Sequence, residues 1–203
     1  HALAVQSLQA RSGTSYPTVV EAIERLDALG EITRTSSRGA QLRGHPRASL
    51  AEVLAVGDSL RRTMYFVDAS GRAPDLDALL RRTVKVTSDA IAIGGVAAAR
   101  HYDRDFDLNG LPRVDVTASG SDTSWLRSID PALVPATALD LRSGKVALVV
   151  HRLRRPKTGF VRDDAGHRWF TDPVEVVLDL HELRLSEQAD EFVDAVRRRG
   201  GAR

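Results

Sequence analysis

The sequence contains no cysteine, which removes disulfides, thiolate zinc ligands and a thiol nucleophile from consideration. No run approaches the roughly eighteen apolar residues that a membrane-crossing helix requires, and no basic, apolar, small-residue leader is visible. A cytoplasmic protein with no membrane partner is the expectation. Lysine is scarce: of 29 basic residues only Lys85, Lys145 and Lys157 are lysine. Arginine suits phosphate and guanine contacts, but a GC-rich genome yields the same bias, and we take the compositional cause. A charge excess is also missing. The net charge is +2; up to Arg47 six arginines face four acidic residues, and the remainder balances at 23 against 23. Any nucleic-acid binding must therefore come from placement and not from bulk charge.

What is present begins with size. At 203 residues and 42% hydrophobic content the chain can bury a core and fits one small and one medium domain. Residues 13–43 organise the first. Ser15 can cap a helix with its hydroxyl, and Pro17 falls in the first turn, where a missing N–H costs nothing. Val19, Ala22, Ile23, Leu26 and Leu29 recur at helical spacing, so they form the expected inward stripe. Gly30 supplies a helix stop, residues 31–35 alternate like a strand, residues 36–39 make a hairpin tip, and residues 40–43 return. Upstream, Leu3, Val5 and Leu8 fit a short helix that breaks at residues 11–13. The order is helix, turn, helix, hairpin.

These residues, QARSGTSYPTVVEAIERLDALGEI, resemble the winged helix-turn-helix of bacterial transcription regulators. The resemblance implies that the second helix enters the major groove and that the hairpin tip brings arginine to the backbone or minor groove. Ser15, Tyr16, Thr18 and Arg25 then lie on the DNA face, with Tyr16, Thr18 and Arg25 as base-edge candidates, and Arg34, Arg38 and Arg43 reach phosphate or the minor groove. Glu21 and Glu24 share that face and oppose phosphate. A protein-contact role for the same motif is the alternative. A complete winged helix has a further helix ahead of residues 3–10, so residues upstream of His1 are expected to supply it.

Gly and Pro in residues 44–47 punctuate the chain, and the expected domains are 1–46 and 49–203. In the second, Ser49 is expected to cap a helix through Leu60, with strands at 64–67, 83–87, 90–93, 113–117, 145–150 and 166–170. Helices are expected after Pro74, at 96–100, after Asp172-Pro173 with Val174, Val177, Leu178 and His181 on one face, and from Ser186 with Ala189, Phe192, Val193 and Val196 inward. The expected fold class is α+β: a winged helix-turn-helix lacking its first helix, then a mixed α/β domain.

No catalytic set emerges. Gly94-Gly95 followed by Val114-Asp115-Val116 resembles a worn nucleotidyltransferase signature, but Arg113 and the long spacing leave out the second carboxylate that two-metal phosphoryl transfer needs. We read it as a nucleotidyltransferase-like echo of fold at most, with Asp115 a surface residue. His101-x-Asp103-x-Asp105 is capable of ligation but is equally a solvated loop, and His181-Glu182 lacks the second histidine of a zinc-protease helix. The basic run at 151–157 reads as a loop, either a second nucleic-acid patch or a solvated segment. No metal, no cofactor and no catalysis by Asp115, His101, His181 or Glu182 are expected.

Residues 89–98, DAIAIGGVAA, and 168–180, RWFTDPVEVVLDL, together with the preceding motif, resemble the AbiEi family of antitoxins from type IV toxin–antitoxin systems. That resemblance implies a repressor of its own operon that binds double-stranded DNA at inverted repeats. It also implies a second domain that counters a nucleotidyltransferase toxin, without requiring a stable complex. A ligand-sensing regulator and a nucleotidyltransferase-like enzyme are the alternatives.

Overall fold

The computed structural model describes residues 3–35, 39–43, 46–154 and 159–201. In chain order its elements are β1 (Leu3–Ala4), α1 (Val5–Ser12), α2 (Tyr16–Ala28), β2 (Ile32–Arg34), β3 (Gly39–Leu42), α3 (Arg47–Leu60), β4 (Arg61–Asp68), α4 (Leu76–Val84), β5 (Ile91–Ile93) and α5 (Gly95–Tyr102). They continue with β6 (Val114–Ser119), α6 (Leu126–Ile129), β7 (Leu133–Pro135), α7 (Ala138–Ser143), β8 (Leu148–Leu153), β9 (Val161–Arg162), β10 (Trp169–Phe170), α8 (Pro173–Glu182) and α9 (Ser186–Gly201). The class is mixed α+β. Two compact units make up the chain, His1–Gly57 with Val193–Arg203 and Asp58–Phe192. Among the described residues no helix is long and apolar enough to cross a membrane.

In the first unit α1 stops at Gly13, whose φ of 66° is the left-handed conformation that ends helices cheaply. Ser15 then caps α2, its side chain accepting from the Thr18 N–H at 3.4 Å. Val19, Ile23 and Ile32 form a small core against which Val5, Leu8, Leu26 and Ala40 pack. Leu3 differs from expectation: it does not start a helix but pairs as β1 with Ala40, so the sheet runs β1-β3-β2, all antiparallel. Ala22 and Leu29 are exposed, because the buried stripe is narrow and Leu29 already stands at the helix end. The hairpin tip at residues 36–38 lies outside the described residues. Glu31 is buried, and its carboxylate accepts from the Ala48 and Ser49 amides at 2.7 and 3.2 Å. This carboxylate serves the N-terminus of α3 in the role expected of Ser49, where anionic charge meets unpaired N–H groups. Farther on, Arg197 donates to the Arg43 carbonyl at 2.9 Å.

The second unit is built on a seven-stranded sheet of order β7-β4-β8-β6-β5-β10-β9. β6 runs parallel to β8 and β5 parallel to β10, while β4 is antiparallel to both β7 and β8. Strand alternation sorts the side chains onto two faces. Phe66, Val114, Val116, Ala118, Leu148 and Val150 share one face with Leu79 and Ile129 in an apolar core. The alternate positions, Arg61, Thr63, Tyr65, Asp115, Thr117 and His151, point to the opposite face.

Several expectations shift here. Residues 83–87 are not a strand: Thr83 belongs to α4 and donates to the Leu79 carbonyl at 2.9 Å, since the Leu76, Leu79, Leu80 stripe overrides local β-propensity. The buried strand is Leu148–Leu153, later than expected. The short elements α6, β7 and α7 have no counterpart in the sequence reading; Leu139 and Leu141 of α7 are exposed, so no inward stripe marked it.

Candidate functional site

Two regions of the molecule concentrate chemistry, one in each unit. In the first, the surface of α2 away from its core carries Tyr16, Thr18, Glu21, Glu24 and Arg25, all exposed. Ser15 is exposed too, but its hydroxyl is engaged, 2.8 Å from Thr18 Oγ1. Arg25 meets Glu52 at 3.0 Å and Arg34 meets Asp27 at 2.8 Å, with all four side chains more than a third exposed. Arg43 instead donates to Thr33 Oγ1 at 3.0 Å. Arg38 lies outside the described residues. Among the described residues the expected DNA-facing side chains therefore sit at the N-cap and along α2, on β2 and directly after β3, and two of the arginines already have carboxylate partners.

The second region is a buried ionic cluster under α8. Asp172 caps this helix, accepting from the Val174 and Glu175 amides, with Pro173 in the first turn. Glu175, Asp179 and Glu182 recur at a spacing of four and three residues and so lie on one stripe. That stripe meets the polar face of the sheet. Arg61 Nη1 donates to Asp179 Oδ1 at 2.5 Å and Glu175 Oε2 at 3.2 Å, and its Nη2 reaches Glu182 Oε2 at 3.2 Å. Arg113 joins Asp115 at 2.8 Å and Glu182 at 2.9 Å, and the Tyr65 hydroxyl donates to Glu182 at 3.3 Å. His151, fully buried, lies 3.2 Å from Asp179 and 3.5 Å from Asp115 through Nε2 and contacts Thr63 Oγ1 through Nδ1 at 3.2 Å.

Burial pulls the Arg61 guanidinium down, but Asp179, Glu175 and Glu182 outweigh it and the net shift is upward. Arg113 follows the same logic through Asp115 and Glu182. Burial and then the Glu182 charge push the Tyr65 hydroxyl up. Four carboxylates thus share two guanidinium groups in a space where each charge depends on its partners.

Gly94 and Gly95 close this cluster. The Gly95 N–H, at the start of α5, donates to Asp179 Oδ2 at 2.8 Å. A Cβ on Gly94 would lie 2.6 Å from that oxygen, and one on Gly95 would lie 2.7 Å from Asp115 Cγ. The glycine pair is there to let a helix start approach buried carboxylates.

The expected surface position of Asp115 is overturned, because it is 1% exposed and ion-paired. His151 does not begin a loop but belongs to β8, and residues 155–157 of the basic run lie outside the described residues. On α8 the expected apolar face also changes: Val174 is exposed, while Glu175 and Asp179 are buried. Glu175, Asp179 and Arg61 were missed. Their signal was an acidic stripe at helical spacing on an otherwise apolar helix. Among the described residues no group of three His, Asp or Glu side chains is arranged to hold a metal ion.

His101 stacks on Phe170, ring centroids 3.9 Å apart and nearly parallel. Burial lowers its affinity for a proton, with the nearby acidic residues opposing the shift only in part. The folded state therefore favours neutral imidazole. Below the ordinary value of 6.5 the unfolded chain takes the proton more readily, so this residue removes stability as pH falls through that value and leaves it intact above. Urea unfolding followed through Trp125 and Trp169, at about pH 7.5 and about pH 5.5, should show a smaller pH difference for His101→Phe than for the parent. An unchanged difference would remove His101 from the pH response.

Comparison with family models, with curated proteins and with solved structures found no match. The AbiEi likeness rests on the sequence segments quoted above.

Proposed function

We propose that the first unit is a winged helix-turn-helix that binds double-stranded DNA. On this reading the protein is a cytoplasmic repressor of its own operon and the antitoxin of a type IV system, as the AbiEi resemblance implies. Its operator contains inverted repeats, and its second unit counters a nucleotidyltransferase toxin. The observation that carries the DNA reading is the order α1, three-residue turn, α2, hairpin, with Tyr16 and Thr18 exposed at the start of α2 and Arg34 and Arg43 on the hairpin. A helix N-terminus with exposed polar side chains suits base edges, and strand-borne arginines suit phosphate. Cytoplasmic location follows from the same role.

We assign no catalysis to the second unit. Asp115 is sealed against Arg113 and Gly95, and the two-residue-later position is Thr117, so a reachable carboxylate pair of the two-metal kind is not supported.

The test is a pair of mutational signatures measured by gel shift. Arg43→Ala is expected to weaken binding to operator and unrelated duplexes alike and to reduce the salt slope by about one. Thr18→Ala or Tyr16→Ala is expected to reduce the preference for operator by roughly 1–3 kcal/mol if a good base contact is lost. No shift with any duplex would leave the motif as a protein-contact surface.

A further inference from the structure

We infer that Asp27 and Glu52 are built-in competitors of DNA, holding the phosphate candidate Arg34 and the base-edge candidate Arg25 in the free protein until duplex DNA displaces them. The inference rests on the DNA-binding reading above. Three different elements supply the two pairs. Arg25 and Asp27 lie near the end of α2, Glu52 lies in α3 and Arg34 lies on β2. The pairs are tight, at 3.0 and 2.8 Å, yet open to solvent: Arg25 and Glu52 are 69% and 49% exposed, Arg34 and Asp27 are 51% and 38% exposed. Two of the three describable arginines on the proposed interface are thus capped by a carboxylate. Arg43 has no carboxylate partner among the described residues; its Nε donates to Thr33.

A carboxylate and a phosphate diester each offer a guanidinium two oxygens that share one negative charge, and arginine binds either. An exposed pair of this kind is weak and exchanges readily. When phosphate replaces the carboxylate, the arginine trades one partner for another, and the freed acid is left beside a polyanion. The exchange therefore returns somewhat less than a free arginine would gain. Asp27 is also poorly placed for helix stability, since the C-terminal turn of α2 favours cations; the Arg34 contact offsets that placement. The consequence is a small sequence-independent affinity, so that base-edge contacts from α2 decide where the protein sits.

Binding to a duplex from upstream of the protein's own coding sequence and to an unrelated duplex of equal length, across a salt series, tests this. Asp27→Asn, which frees the phosphate candidate Arg34, should tighten binding to both duplexes by roughly two- to fivefold. Glu52→Gln, which frees the base-edge candidate Arg25, should tighten binding to the upstream duplex by a similar factor and to the unrelated one by less. The double variant should combine the two effects, because the pairs share no residue. Each freed arginine that reaches phosphate should steepen the salt slope by about 0.9. Asp27→Glu, which keeps the charge, should behave as the parent and controls for loss of folding. Unchanged affinity in both neutralised variants overturns the inference. Weakened affinity overturns it as well, because the acids would then be positioning the arginines for DNA. Failure of the parent protein to bind either duplex is a different result and removes the DNA reading itself.

Discussion

Arg61→Met is expected to destabilise the second unit by about 3–5 kcal/mol, the range for breaking a buried ion pair by removing one partner. Methionine keeps most of the side-chain volume, so the loss comes from charge and not from a cavity. Arg61 is 4% exposed, and its guanidinium serves Glu175 and Asp179, themselves 1% and 0% exposed, together with Glu182. Without it Glu175 and Asp179 lose the buried guanidinium that contacts both of them. Arg61→Lys should rescue little, since one ammonium cannot fork among three carboxylates from the same position. Combining Arg61→Met with Glu175→Gln and Asp179→Asn should recover part of the loss, because amides remove the stranded charge. Urea midpoints read by tryptophan fluorescence suit the test: both tryptophans, Trp125 and Trp169, lie in the second unit. A midpoint unchanged by Arg61→Met would mean that the cluster contributes nothing to folding.

Gly95→Ala should cost on the order of 2–5 kcal/mol, combining about 1–2 for an L-residue in left-handed backbone with about 1–3 for forced overlap. Its φ is +56°, and the new methyl would meet Asp115 at the end nearest the carboxylate. Gly94→Ala separates the two causes. Gly94 has φ −114°, which any residue adopts, so only the approach to Asp179 Oδ2 matters there. Adding Asp115→Ala to Gly95→Ala should relieve the overlap with the carboxylate while leaving the backbone strain and the 2.9 Å approach to the Cβ of residue 115, giving a coupling that a double-mutant cycle reads directly. Additive effects would contradict the contact between Gly95 and Asp115.

The sequence made α2 legible because independent signals agreed: a capping serine, a first-turn proline, an apolar stripe and Gly30 at the stop. The Val-rich core of β8 was legible for a simpler reason, a continuous apolar run. The cluster under α8 was not. Apolar side chains mark the inward face of a helix in sequence, and Glu175 and Asp179 violate that rule because Arg61, more than a hundred residues earlier, neutralises them. Asp115 sits in a strand whose two faces are both covered, so alternation could not place it. The same nonlocal dependence hid the pairing of Arg25 and Arg34 with acids on neighbouring elements. Burial of charge is a tertiary fact, and spacing alone shows only that an acidic stripe exists.

The central claim is that the first unit binds duplex DNA and prefers the DNA of its own operon. Fluorescence anisotropy with a duplex from upstream of its coding sequence and an unrelated duplex, over a series of salt concentrations, tests it most directly. The expected result is binding to both at low salt, tighter to its own, with affinity falling linearly on a log–log salt plot. Absence of binding to either duplex at low salt would contradict the claim.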